Sequence, residues 1–186
     1  MKNFIKNRKN AVVTFLTGLA LVLVSCSLDT VTPDPDKLPS VPLSRAGWEV
    51  IDYSSQEDQG GEGDTGRCAD ILDGNPDTFW HSCWNGCTPV PPHFITVDMQ
   101  TEQEAKGFFL MQRQSLSRNI ETCEIQISSD NSNWESLGVF TLEKVKNQQD
   151  LAFESPKTFR YFKFIVKTVF DGTDNAALAE LVPYTN

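Results

Sequence analysis

The chain has 186 residues, 39% of them hydrophobic, with 12 Phe and 4 Trp. That length suits one domain with a sizeable core once a leader is removed. The formal net charge is −9, and the first 25 residues hold Lys2, Lys6, Arg8 and Lys9 without an acid, so the remainder is more acidic still. A chain of that charge repels phosphate backbones, which excludes nucleic acid as a partner.

The first feature in chain order is the basic start followed by the uncharged run Ala11–Ser25. A membrane span needs about 20 apolar residues. This run is shorter and has the length of a signal-peptide core. It ends Leu23-Val24-Ser25-Cys26, which resembles the lipobox of bacterial lipoproteins. The resemblance implies that residues 1–25 are a signal peptide and that Cys26 carries a diacylglyceryl group. Two or more acyl chains anchor a protein stably. The expected location is the outer membrane or cell surface, with the membrane contacted through the lipid alone.

Residues 26–44 form the anchor and a tether, because 27–43 carry four prolines and no periodic apolar pattern. Such segments are extended and semi-rigid. The folded domain is expected over 45–186, starting at Arg45-Ala46-Gly47-Trp48. From there the apolar pattern has period two. Ile95, Val97 and Met99 alternate with Thr96 and Asp98. Cys123, Ile125 and Ile127 alternate with Glu124, Gln126 and Ser128, and Phe162, Phe164 and Val166 alternate with Lys163, Ile165 and Lys167. Alternation at this period turns one face to a core and one to solvent. Further strands are predicted over 48–53, 108–113, 135–140 and 179–184. Residues 56–66 read as a polar, glycine-rich loop, and Asp130-Asn131-Ser132-Asn133 as a turn. Short strands joined by turns, without helical periodicity, predict an all-β fold, a jelly-roll β-sandwich.

Setting Cys26 aside leaves Cys68, Cys83, Cys87 and Cys123, for which three connectivities exist. Cys83 with Cys87 and Cys68 with Cys123 is one pairing; four reduced thiols is another state. Trp48, Trp80 and Trp134 are expected in the core.

The block Ala69–Trp80 reads ADILDGNPDTFW. Around it, in order, stand Trp48, Ser54-Ser55, His81, Pro92-His93-Phe94-Ile95-Thr96-Val97-Asp98, Arg113, Ile127-Ser128-Ser129-Asp130, Trp134, Arg160-Tyr161-Phe162-Lys163 and Ala179-Glu180-Leu181. Together these resemble the discoidin, or coagulation factor type C, family, and within it the family 32 carbohydrate-binding modules. The likeness covers residues 45–186. It implies the same jelly-roll sandwich that the alternation predicts.

The resemblance also implies two sites. One is a structural cation held by Asp70 and Ala179 through carbonyls and by Asp73, Asn75, Thr78 and Glu180. Calcium takes six to eight oxygens, and with this many carboxylates it is favoured over sodium. The other is a glycan or polysaccharide site on loops at one end of the sandwich. Sugar recognition needs an aromatic face and planar polar groups. Arg113 and Asn119 fall where the family places its polar contacts, and Arg118 competes for that role. Phe170 and Trp84 fall where it places an aromatic ring. Asp64 or Glu62 from the glycine-rich loop completes the set, and His81 is read as a rim residue.

No GxSxG, HExxH, P-loop or GxGxxG pattern occurs, and the loop acids are not oriented as a hydrolytic pair. His81, Cys83, Cys87 and His93 have zinc-ligand chemistry, but exported cysteines usually oxidise. The expectation is a non-catalytic glycan-binding lipoprotein. The alternatives are an adhesin for host or matrix protein and a structural subunit of a surface complex.

Overall fold

The computed structural model describes residues 39–59 and 62–186. The expected signal peptide, the lipidation site at Cys26 and the first part of the tether lie outside the described residues. Eight strands follow in order: β1 Val41–Pro42, β2 Glu49–Tyr53, β3 Trp80–His81, β4 His93–Gln112, β5 Ile120–Ser128, β6 Glu135–Thr141, β7 Gln149–Val169 and β8 Ala177–Thr185. A short 3-10 turn, Cys68–Leu72, sits between β2 and β3.

The strands pair antiparallel in the order β1-β8-β4-β7-β5-β6, with β2 added to β4 and β3 to β8. Two strands are long enough to serve both layers of a sandwich. The first half of β4 pairs β2 and the end of β7, whereas its second half pairs β8 and the start of β7. Between those halves the register shifts, from Asp98 to Gln103. Asp98 secures this corner. Its carboxylate takes the N–H of Gln100 at 2.7 Å and both Nε and Nη2 of Arg160 at 2.8 Å. Gln100 adopts φ 69°, a left-handed conformation that costs a non-glycine residue energy and needs such support. The two stretches predicted as separate strands around Ile95 and Phe108 are therefore one bent strand. Period two continues through a bend, so the pattern alone does not reveal the join.

The predicted apolar faces of β4, β5 and β7 meet in one core. Ile95, Val97, Phe108, Leu110, Ile125, Phe162 and Phe164 are fully buried there. Phe108 is central, with the rings of Phe162, Phe153 and Phe159 at 5.1, 5.8 and 6.1 Å between centroids. Each such ring contributes about 1.5–3 kcal/mol by leaving water.

Four details differ from the sequence reading. Val41–Pro42, assigned to the tether, pairs with Thr185 and Tyr184, so the sheet begins ahead of Arg45. Proline is tolerated there because an edge strand does not need its missing N–H. Of the tryptophans, Trp80 is fully buried and donates its indole N–H to Ser55 O at 2.9 Å. Trp48 is half-buried, edge-on to Phe162, and Trp134 lies under Lys163 Nζ at 4.7 Å rather than in the core. Cys83 and Cys87 form a disulfide, but Cys68 and Cys123 are separate buried thiols. Burial pushes the Cys123 thiol up to about 12 and raises that of Cys68 further, so both stay protonated. Apolar alternation explains Cys123: it is a core position of β5.

Candidate functional site

Loops gather at one end of the sandwich, where β4 ends and β8 begins. Glu62, the Cys83–Cys87 loop and the segment between β4 and β5 border an open cavity of about 430 Å³. Its walls are Glu62, His81, Trp84, Arg113, Ser117, Arg118 and Asn175. The disulfide and the Glu57 carboxylate fix the aromatic wall. Glu57 Oε2 accepts the backbone N–H groups of Trp84 and Asn85, both at 3.0 Å, and Oε1 accepts that of Gln59 at 2.8 Å. Burial opposes charge on Glu57, but these N–H donors outweigh it and hold the carboxyl below the usual range. The Trp84 side chain remains 43% exposed.

The polar wall is an ordered network. Arg113 stacks over the Phe79 ring at 4.0 Å and donates from Nη2 to Glu62 Oε2 at 2.9 Å. Its Nε is buried without a partner among the described residues. Arg118, at φ 61°, donates from Nη1 to Asp171 Oδ2 at 2.8 Å. His81 is buried, which lowers its pKa and keeps the ring neutral near pH 7. Its Nδ1 lies 2.6 Å from Ser82 O. A carbonyl only accepts, so Nδ1 carries the proton and Nε2 is a bare acceptor. Asn175 Nδ2 donates to Ser82 Oγ and Cys83 O at 3.2 and 3.1 Å, which orients the loop behind Trp84.

Of the six residues named for the sugar site, the structure brings Trp84, Arg113 and Arg118 together around the cavity. Asn119 lies next to Arg118 but is 1% exposed and outside the lining, with neither side-chain polar atom partnered. Phe170 is half-buried at the end of β7, its N–H given to Asn119 O at 3.0 Å, and is not part of the wall. Asp64 is exposed on its loop, and Glu62 takes the place considered for either. His81 proves to be a wall rather than a rim residue. Ser117 and Asn175 escaped the sequence reading, since polar residues in polar turns carry no distinguishing pattern.

The second candidate site is the Asp73–Thr78 turn. Thr78 Oγ1 donates to Asp73 Oδ2 at 2.6 Å and lies 2.7 Å from Asn75 O, while Asn75 N donates to Asp73 Oδ1 at 2.8 Å. Glu180 projects from β8 beside this turn. Burial pushes its carboxyl up to about 7 against the pull of Arg45, and the Asp73 carboxyl adds to the rise. Arg45 Nη2 sits 2.8 Å from Glu180 Oε2, yet neither carboxylate oxygen has a well-aligned hydrogen bond. The Asp70 side chain is committed elsewhere, to the N–H groups of Gly66 and Arg67. Among the described residues no three His, Cys, Asp or Glu side chains converge as a metal group. An ion here would therefore use two carboxylates, Asp73 and Glu180, with neutral oxygens. Buried, unsatisfied carboxylate oxygens beside a curled turn fit a hard cation.

Comparison with known proteins agrees with this architecture. Residues 51–181 match the F5/8 type C domain model. The chain is 34% identical over 146 residues to galactose oxidase of Gibberella zeae, an alignment covering 75% of this chain and 20% of that enzyme. It thus spans about one fifth of that relative's length. Among solved structures, the C-terminal domain of a chitobiase from Bacteroides fragilis superposes with a TM-score of 0.70 at 30% identity, covering 78% of this chain and all of that domain. A family 32 carbohydrate-binding module from Clostridium perfringens, solved with GalNAc-β-1,3-galactose, gives 0.69 at 20% identity, with 78% of this chain and 100% of that one covered. The match in sequence and in jelly-roll fold runs through both candidate sites, and the chain belongs to the F5/8 type C domain family.

Proposed function

We propose that this domain is a non-catalytic glycan-binding module. The observation that carries the reading is the cavity itself. An exposed indole, held rigidly by Glu57 and the Cys83–Cys87 disulfide, stands opposite guanidinium, imidazole and carboxylate groups. A pyranose has the matching form, with an apolar C–H face and an equator of hydroxyls. The fold relationship to a module solved with a GalNAc-galactose disaccharide supports the same reading. The polar groups are tied by ion pairs, Arg113 to Glu62 and Arg118 to Asp171, as a recognition surface. Shallow sites of this kind bind weakly, so display of many copies raises avidity.

The reading extends to place and cofactor. The lipobox at Leu23–Cys26 supports attachment through Cys26 to the outer membrane or cell surface, with surface glycans as partners. Calcium is the proposed structural ion, held by Asp73, Asn75, Thr78 and Glu180 with the carbonyls of Asp70 and Ala179. Bound there, the ion supplies positive charge that joins the early turn to β8. Asp73 and Glu180 balance that charge, and Thr78 and Asn75 shape the turn.

A glycan array probed with the protein in multivalent form tests the function. Specific signals competed by soluble sugar are expected. Silence from folded protein across a broad array overturns the reading.

A further inference from the structure

Two guanidinium groups line the cavity, and both are matched by acids of the same chain. Arg113 pairs with Glu62 at 2.9 Å, and Arg118 pairs with Asp171 at 2.8 Å. The first pair is well shielded, with side chains only 17% and 16% exposed, so salt screens it little. Glu57 lies behind the Trp84 wall as a further carboxylate, bonded only to backbone N–H groups. Asp64 adds negative charge along the same loop, where Asp58 is met by Arg67 at 3.9 Å. A carboxylated ligand entering here meets no unmatched cation and several acids.

The hydrogen-bonding pattern points the same way. His81 Nε2 is a bare acceptor, and Glu62 Oε1 stands 3.8 Å from it. Two acceptors at that distance are satisfied by a donor between or beside them. A hydroxyl donates; an ionised carboxylate does not. On the other wall, the N–H groups of Arg118 not given to Asp171 face the cavity lining and take acceptors. A hydroxyl oxygen serves them, whereas an ammonium has no lone pair to offer.

We infer that the cavity selects uncharged saccharides, and that Glu62 sets this selectivity by occupying the Arg113 guanidinium that would otherwise take a carboxylate in bidentate fashion. The inference rests on the glycan-binding reading above. It adds the charge class of the ligand and the residue that determines it.

The test uses matched sugars. Each uncharged glycan bound on the array is presented again with its C6 hydroxymethyl oxidised to carboxylate, and separately with a 2-amino group in place of the 2-hydroxyl. The unmodified glycan is expected to bind at least about tenfold more tightly than its carboxylated twin. In Glu62→Gln that ratio should shrink several-fold, through tighter binding of the acid. Melting curves confirm that the variant is folded. A carboxylated or amino twin that binds as well as the parent overturns the inference and leaves the glycan reading standing. A folded Glu62→Gln that keeps the wild-type ratio overturns the role of Glu62. Failure to bind any uncharged glycan overturns the function itself, and the inference with it.

Discussion

The Glu57 carboxylate accepts the backbone N–H of Trp84 at 3.0 Å across 27 residues of sequence. It is 1% exposed and joins the two loops that form the aromatic side of the cavity. Hydrogen bonds to a charged acceptor are stronger than neutral ones, and losing one strands a buried donor. Glu57→Gln puts an NH2 group where one acceptor oxygen stood. Glycan affinity should fall about tenfold, measured by titration calorimetry, with a shift in Trp84 fluorescence. In a Trp84→Ala background the same change should have no further effect on affinity. An additive loss would show that Glu57 acts by another route.

Trp84→Ala should weaken glycan binding by roughly thirtyfold while moving the melting temperature little, because the ring is 43% exposed and its loop stays closed by the disulfide. Phe170→Ala should do the reverse. That ring is half-buried and outside the cavity, so stability drops while affinity stays within about twofold. Binding titrations and melting curves on the two variants separate these outcomes.

If the proposed calcium site is occupied, calcium at about a hundred times its Kd would add about 2.7 kcal/mol to stability. For a domain of this size, chelation should lower the melting temperature by roughly 5–10 °C. Asp73→Ala should melt at the same temperature with calcium or chelator. A wild-type protein indifferent to chelation would remove the cation from the account.

Glu124 gives the domain an acid-sensitive contact. Its hydrogen bond with Lys167, at 2.6 Å, and those from Gln126 and Ser136 hold its carboxyl down to about 2 against burial. In the unfolded chain it titrates near 4.5. The stabilisation is therefore complete above about pH 4.5 and is lost as pH falls toward 2. Glu124→Gln should melt a few degrees lower at pH 7 and match the parent near pH 2. Melting curves across that range check the sign.

Alternation made β5 and the Phe162–Val166 end of β7 legible, because one face of each is buried and slipping by one residue would expose it. Longer-range facts were not encoded so locally. The corner at Asp98 depends on Arg160, and the entry of Val41 into the sheet depends on Thr185. At the cavity, Trp84 and Arg113 stood out by residue type and by their place in the family pattern. Glu57 did not, since an acid in a polar loop looks solvated until the fold buries it. Glu62 was set beside Asp64 as an equal choice, and only loop geometry separates them. Phe170 shows the converse: the right residue type at the right place in sequence, half-buried and outside the cavity lining.

Strand β8 connects two opposite ends of the molecule. Ala177, at its start, pairs with the cavity residue His81, whereas Tyr184 and Thr185 pair with Pro42 and Val41. Both ends of the domain chain are thus side by side, about one strand length, roughly 25–30 Å, from the cavity. If the cavity is the recognition surface proposed above, a tether arriving at Val41 lies about a strand's length from it, so support and ligand do not compete for the same end.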